Sequence, residues 1–166
     1  LVVFGAASPV LAYLKLGSPV AGRVVDVTWS GPVKYVVAET DAPTASAGDL
    51  RGAVARATAT WQAVSSATVR FEFQGMTSAP PGMVDGQTTV GFVDRPDLDR
   101  VLGATSFLID TTNGSIVEAD VFFNSHFAWS VAAAGAPGRV DLESVALHEL
   151  GHLLGLSHSA LGETEL

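Results

Sequence analysis

Three of the four histidines of this chain lie close together near its end. His148 and His152 are four residues apart, so on a helix both imidazoles project from one face and can bind one metal ion. Glu149 lies one step round the same helix. Gly155 can end the helix with a positive φ angle, which lets His158 turn back and supply a third nitrogen. Three nitrogen ligands leave the fourth tetrahedral position of a zinc ion open.

This arrangement of residues is typical of metal-assisted hydrolysis. Zinc held by His148, His152 and His158 would polarise a carbonyl group and make water more acidic. A carboxylate beside the metal that is not itself a ligand can move the proton of that water, so Glu149 is the candidate general base. With average residue usage, two histidines and a glutamate at set offsets occur by chance in fewer than about one chain in a hundred of this length.

The composition limits the classes of protein that this chain can represent. A length of 166 residues suits one domain, and 48% hydrophobic with 16% charged residues excludes general disorder. A net charge of -8 argues against nucleic acid or an anionic membrane as the main partner. Because there is no cysteine, metal ligands must be histidines or carboxylates, and neither disulfides nor a thiol nucleophile can form.

The first residues indicate a secreted protein. Residues 1–12 are apolar and rich in small side chains, as in the remnant of a signal peptide; a buried first strand or a propeptide remnant is the alternative. No apolar run is long enough for a transmembrane helix. We expect residues 13–32 to form an N-terminal extension or first strand, and residues 33–166 to form the domain that carries the site.

The elements that must position the histidines are mostly short strands. Alternating or β-branched runs predict strands at residues 24–29, 33–37, 69–73, 88–93, 105–109 and 116–123. Asn113 and Gly114 predict a hairpin between the last two strands, and residues 75–86 read as a long loop. The strands are not arranged as repeated strand-helix-strand units, so the predicted fold class is α+β.

Two helices are expected. The first has apolar residues at helical spacing, which predicts a stripe facing the core at Leu50, Ala53, Val54, Ala57, Trp61 and Val64. The second carries the histidine motif, and Asp141 is placed to cap its first turn.

These segments together resemble a known family. The residues from His148 to His158 resemble the motif of the metzincins, and the following Ser159 resembles the matrixin branch, which includes the matrix metalloproteinases. Similarity extends over residues 33–159: Trp61 and Val64 with the strand after them, residues 116–124 and residues 127–130 resemble matrixin segments.

The resemblance implies a fold and an activity. It implies a twisted sheet of five strands, four parallel and one antiparallel at the edge, with a long helix A and an active-site helix. It also implies a secreted zinc endopeptidase that acts on protein or peptide substrates, and an extended substrate that pairs with an edge strand at residues 103–107. Gly103, Ala104 and Thr105 are the expected substrate-binding residues; an ordinary edge strand that binds no ligand is the alternative.

The chain also departs from the family in its other metal sites. Matrixins usually hold a second, structural zinc, but Val121 stands where a histidine ligand would be expected, so we predict one catalytic zinc and no structural zinc. Asp94, Asp97 and Asp99 alternate in a loop and could bind calcium. They lack the full calcium-loop pattern, so solvated surface charge is the alternative.

Two further departures concern activation and the end of the chain. The cysteine switch that keeps many matrixins latent cannot exist without cysteine. Metzincins place a methionine turn beneath the zinc after the third histidine, and none occurs before Leu166. We therefore expect a fragment whose C-terminal subdomain is truncated.

Three other residues are weaker candidates. His126 could be a metal ligand, although an isolated histidine is more often an ordinary surface or core residue. Glu118 and Asp120 share one face of a predicted strand and could pair with arginines, and no catalytic role is assigned to them.

Two functions compete with a monomeric endopeptidase. The chain could be a zinc-containing module that binds peptides without cutting them, or an inert truncated fragment. The presence of Glu149 favours the enzyme, because a module that only binds peptide does not need a general base beside the metal.

Overall fold

A five-stranded sheet forms the centre of the molecule in the computed structural model, which describes residues 15–20 and 22–158. Its strands are β3 (Val33–Ala38), β4 (Phe71–Thr77), β5 (Thr88–Val93), β6 (Gly103–Ile109) and β7 (Ile116–Asn124). They lie in the order β4-β3-β5-β7-β6, with all pairs parallel except β6 with β7. The predicted sheet of four parallel strands and one antiparallel edge strand is confirmed, as is the α+β class.

Two helices complete the core. Helix α1 (Ala47–Gln62) and helix α2 (Leu142–Leu153) pack against each other and against the sheet. Alternate residues of the central strands, such as Val37, Phe92 and Phe123, are buried in this layer because successive side chains of a strand point to opposite faces. Within the described residues, neither helix is both long and apolar enough to cross a bilayer.

Two pairs of short strands flank the sheet. Strands β1 (Gly17–Val20) and β2 (Arg23–Asp26) form an antiparallel pair, and β8 (Trp129–Ser130) pairs in parallel with β9 (Val140–Asp141) just before α2. The strand predicted at residues 24–29 ends earlier, at Asp26. Beyond it, Val27 donates its N–H to the carbonyl of Leu16, and the chain then crosses to the hairpin between β6 and β7.

The fourth strand differs most from its prediction. A strand was expected at residues 69–73 and a loop from Gly75, but β4 begins at Phe71 and continues to Thr77. Gly75 has a φ of 127° and lies where the pairing with β3 shifts register, so this glycine accommodates an irregularity inside the strand instead of ending it. The strand at Thr88–Val93 and the hairpin at Asn113 and Gly114 are confirmed.

The apolar stripe of α1 is confirmed except at its end. Leu50, Ala53, Val54 and Ala57 are buried, as expected for residues that face the core. Val64 lies beyond the end of the helix and is 41% exposed, so its place in the stripe was wrong. The predicted signal segment, residues 1–12, lies outside the described residues, and the proposed domain division remains a prediction.

Helix α1 begins with a capping box. The Ser46 hydroxyl accepts the N–H of Asp49, and the Asp49 carboxylate accepts the N–H of Ser46. Both bonds give an acceptor to a backbone N–H group that the start of a helix would otherwise leave to solvent, and they define where α1 starts.

We expect Ser46→Ala to lower the free energy of unfolding by about 1 kcal/mol, because one N–H at the start of α1 loses its acceptor. Urea denaturation followed by circular dichroism measures this change. Ser66→Ala is the matched control, since Ser66 is exposed and lies outside the helix. Equal stability of the two variants would contradict the importance of the cap.

Candidate active site

Helix α2 positions the first two histidines. It starts at the predicted cap, where the Asp141 carboxylate accepts the N–H of Ser144 at 2.7 Å. The helix is also attached to α1, because the Trp61 indole donates to the carbonyl of Leu147 at 2.9 Å. A Cβ added to Gly151 would lie 3.0 Å from the ring of Trp61, so a glycine lets the two helices approach this closely.

The turn after α2 brings in the third histidine. Gly155 has a φ of 88° and donates its N–H to the carbonyl of His152 at 2.7 Å. A Cβ at this position would lie 2.2 Å from the carbonyl oxygen of Val27, so there is room only for glycine. The N-terminal segment, from Leu16 to Trp29, supports the same turn. Leu16 donates its N–H to the Gly155 carbonyl, and the Trp29 indole donates to the Leu153 carbonyl.

The three imidazoles converge on one point. Their Nε2 atoms are separated by 3.1 Å between His148 and His152, 2.9 Å between His152 and His158, and 3.2 Å between His148 and His158. Ligand nitrogens on three corners of a zinc tetrahedron are separated by about 3.3 Å, so these distances resemble a zinc site. Among the described residues, these histidines are the one group of at least three side chains that could hold a metal ion.

One further contact prepares His152 to be a ligand. Its Nδ1 lies 2.8 Å from the carbonyl oxygen of Leu156. A carbonyl can only accept, so in the neutral ring the proton lies on Nδ1, and Nε2 directs its lone pair at the other two rings. The fold therefore selects the tautomer of His152 that suits metal binding.

Glu149 lies beside the histidines but points to strand β6. It is 5% exposed, and its Oε2 accepts a hydrogen bond of 2.9 Å from the Thr105 hydroxyl. Burial raises the pKa of Glu149, and the bond from Thr105 and the nearby His152 and His158 offset only part of this effect. Among the described residues no hydrogen bond to Oε1 occurs, and no fully buried side-chain oxygen lacks a partner. Oε1 therefore keeps some exposure, on a side chain that lines the cleft between α2 and β6.

A cleft of about 640 Å³ runs between α2 and the edge strand β6, with the three histidines and Glu149 along it. The predicted substrate-binding residues, Gly103, Ala104 and Thr105, all line it, and their role remains a prediction. Sequence reasoning missed that Thr105 contacts Glu149. The sequence did contain a pattern that could have indicated it. Gly103 and Thr105 lie two residues apart on the predicted edge strand, so both are on the same face.

The weaker candidates are not part of this site. His126 is not grouped with other potential ligands among the described residues. The two carboxylate oxygens of Asp97 accept bonds of 2.9 and 2.8 Å from Arg95, which leaves an ion pair at the surface. This arrangement gives no support to calcium binding by Asp94, Asp97 and Asp99.

Glu118 and Asp120 bond to backbone instead of to arginines. They lie on the face of β7 opposite the helices, where Asp120 accepts the N–H groups of Gly82 and Thr89 and Glu118 accepts those of Asp85 and Gly86. Burial raises the pKa of Asp120, and its two backbone bonds offset part of that effect. The two carboxylates therefore hold the loop before β5 against the sheet.

We expect Asp120→Ala to lower the free energy of unfolding by about 1–3 kcal/mol, because two N–H groups lose their acceptor. Urea denaturation measures the loss. Asp97→Ala removes a carboxylate from an exposed ion pair and should leave the midpoint nearly unchanged. A midpoint for Asp120→Ala equal to that of this control would contradict the role of the loop contacts.

Comparison with known proteins agrees with this geometry. The family model for the matrixins matches residues 28–164. Metalloendoproteinase 2-MMP from Arabidopsis thaliana is 40% identical to this chain, in an alignment that covers 46% of the chain and 21% of that protein. The aligned part of the chain thus spans about a fifth of the length of this relative. Since the family match runs from the segment before β3 to beyond the third histidine, the chain belongs to the matrixin family.

Proposed function

We propose that this chain is a secreted zinc-dependent endopeptidase that hydrolyses peptide bonds in extended protein substrates. Membership of the matrixin family points to metalloendopeptidase activity, and matrixins are generally secreted or extracellular. The observation that carries the proposal is the convergence of three Nε2 atoms within 3.2 Å of one another, beside a buried glutamate at an open cleft.

His148, His152 and His158 are the proposed zinc ligands. When bound, zinc supplies Lewis-acid chemistry, because it polarises a carbonyl and makes water more acidic. Histidines bind a metal in their neutral form, and in neutral His152 the bond from Nδ1 to the Leu156 carbonyl leaves Nε2 as the ligand atom. No second metal ion is needed for the proposed reaction.

Glu149 is the proposed general base. Its Oε2 is occupied by the Thr105 hydroxyl, whereas Oε1 reaches the cleft and can take a proton from water during attack on the peptide carbonyl. The same carboxylic acid then returns that proton to the leaving amine.

The edge strand β6 is the proposed binding surface for substrate. It pairs with β7 on one side and lies at the edge of the sheet, so its outer backbone groups border the cleft. An extended peptide could add to this edge through main-chain hydrogen bonds, in which the backbone at Gly103, Ala104 and Thr105 would take part. Such pairing gives affinity with little selectivity for sequence.

A non-catalytic module that holds zinc and binds peptides remains the competing function. It would use the same histidines and the same edge strand, so the zinc site does not distinguish the two. Glu149 does, because its buried carboxylate with one oxygen open to the cleft suits proton transfer and has no evident use in binding.

We expect Glu149→Gln to lower kcat/KM for a denatured protein or a peptide substrate by about 10²–10⁴-fold, because proton transfer is lost. Zinc content measured by metal analysis should stay at one ion per chain, and a chelator should abolish the wild-type activity. Glu72→Gln, on the exposed strand at the opposite edge of the sheet, is the matched control.

Retention of most activity by Glu149→Gln would contradict its role as the base. Wild-type protein that binds one zinc ion and peptide but never cuts would favour the competing function. Wild-type protein that binds neither would contradict both.

We expect Gly155→Ala to weaken zinc binding by about 10- to 100-fold, because the clash with the Val27 carbonyl displaces the turn that delivers His158. Competition with a chromophoric chelator measures the affinity. Gly138→Ala is the matched control, since Gly138 also has a positive φ, of 72°, but open space where the Cβ would lie. Equal zinc affinity of the two variants would show that the turn does not position the ligand.

A further inference from the structure

We propose that strand β6 positions the general base through the face that carries Gly103 and Thr105. Thr105 holds one carboxylate oxygen of Glu149 by a hydrogen bond, and Gly103 leaves space for the carboxyl group of Glu149. This inference rests on the proposed function, because it concerns how Glu149 is prepared for proton transfer. It assigns to Thr105 and Gly103 the role of positioning residues, separate from any contact that their backbone makes with substrate.

The hydroxyl of Thr105 is the donor to the carboxylate. Its Oγ1 lies 2.9 Å from Oε2 of Glu149 and 3.1 Å from the carbonyl oxygen of the same residue. A hydroxyl has one proton, and an ionised carboxylate is the stronger acceptor of the two. No other hydrogen bond to this carboxylate occurs among the described residues, so the Thr105 hydroxyl is its sole hydrogen-bonding support there.

Gly103 provides the space. A Cβ at this position would lie 3.2 Å from Cγ and 3.4 Å from Cδ of Glu149, and 2.9 Å from the carbonyl oxygen of Phe122. Residues two apart in a strand share a face, so Gly103 and Thr105 both meet Glu149 from the same side. The strand thus leaves room at one position and offers a donor at the next position on that face.

These contacts leave the other oxygen available. With Oε2 bonded to Thr105, Oε1 is the oxygen without a bond among the described residues, on a side chain that lines the cleft. A glutamate side chain has three rotatable bonds, and without a partner its carboxyl group would sample several positions. Small misplacements of a catalytic group can lower turnover about a hundredfold, so the contact with Thr105 is placed to affect rate.

The backbone of β6 does not need the hydroxyl for its own pairing. Thr105 lies opposite Val121 in the antiparallel ladder with β7, which continues on both sides of it. Thr105→Val keeps the shape of the side chain and a high strand propensity while removing the donor. Thr105→Ser keeps the donor and removes a methyl group, so the two variants separate hydrogen bonding from packing.

The test is steady-state kinetics of the zinc-loaded 166-residue chain with a peptide substrate. We expect Thr105→Val to lower kcat by about 10- to 100-fold with KM changed less than about twofold, and Thr105→Ser to recover most of that loss. Thr112→Val is the matched control: it removes a hydroxyl that donates to Asp110 at 2.6 Å in the hairpin turn, and it should leave kcat unchanged.

A second measurement does not depend on activity. In the metal-free protein, ¹³C NMR of the Glu149 side chain reports whether it keeps one conformation. We expect a single conformation in the wild type and Thr105→Ser, averaging in Thr105→Val, and a displaced side chain in Gly103→Ala. The thermal midpoint of each variant shows whether it is folded.

The outcomes separate this inference from the proposed function. A folded Thr105→Val variant with wild-type kcat would overturn the inference, as would equal losses in Thr105→Val and Thr105→Ser. A wild type that never cleaves would overturn the proposed function instead. In that case the NMR measurement still decides the inference, since averaging of Glu149 in the wild type would contradict it.

Discussion

The close contact between Gly155 and the carbonyl of Val27 is the constraint on which the site depends. Three imidazole nitrogens can meet one ion only if the chain reverses immediately after α2, and this reversal takes a positive φ angle that glycine adopts without strain. The turn also lies directly against the N-terminal segment, where a Cβ would overlap a backbone oxygen. The third histidine is therefore positioned jointly by the glycine and by a segment more than a hundred residues earlier in the chain.

Two tryptophans fix the helix that carries the other histidines. Trp61 reaches from α1 to the Leu147 carbonyl, and Trp29 reaches from the N-terminal segment to the Leu153 carbonyl. Carbonyls near a helix end lack partners within the helix, so the bond from Trp29 also completes the end of α2. Both indoles combine a large apolar ring with one donor, which lets them pack and direct the helix at the same time.

The two faces of the sheet make different contacts. The helical face is apolar, and its packing holds α2 beside β6 so that the cleft lies between them. The opposite face of β7 carries Glu118 and Asp120, which accept N–H groups from the loop before β5. Carboxylates are used there as acceptors for N–H groups of an irregular loop, which has no neighbouring strand to supply acceptors.

Much of this protein could be predicted from its sequence. The spacing of the histidines and Gly155 predicted that the three imidazoles would converge after a turn, because both depend on local helix geometry. The roles of metal ligand and general base remain predictions. Strands such as Thr88–Val93 and the hairpin at Asn113 and Gly114 were equally local. Strand β4 was misplaced, since a glycine inside a strand and a glycine that ends one look alike until the neighbouring strand is known.

Only the tertiary structure decided how distant residues support the site. The bond from Thr105 to Glu149 joins residues 44 positions apart, and the bond from Trp29 to the end of α2 joins residues 124 positions apart. The contact of Val27 with Gly155 is just as remote in the sequence. Such contacts depend on strand order and helix packing, which residue spacing does not encode. The sequence by itself determined which groups could perform the chemistry, and the packing of the sheet against two helices decided what holds them in position.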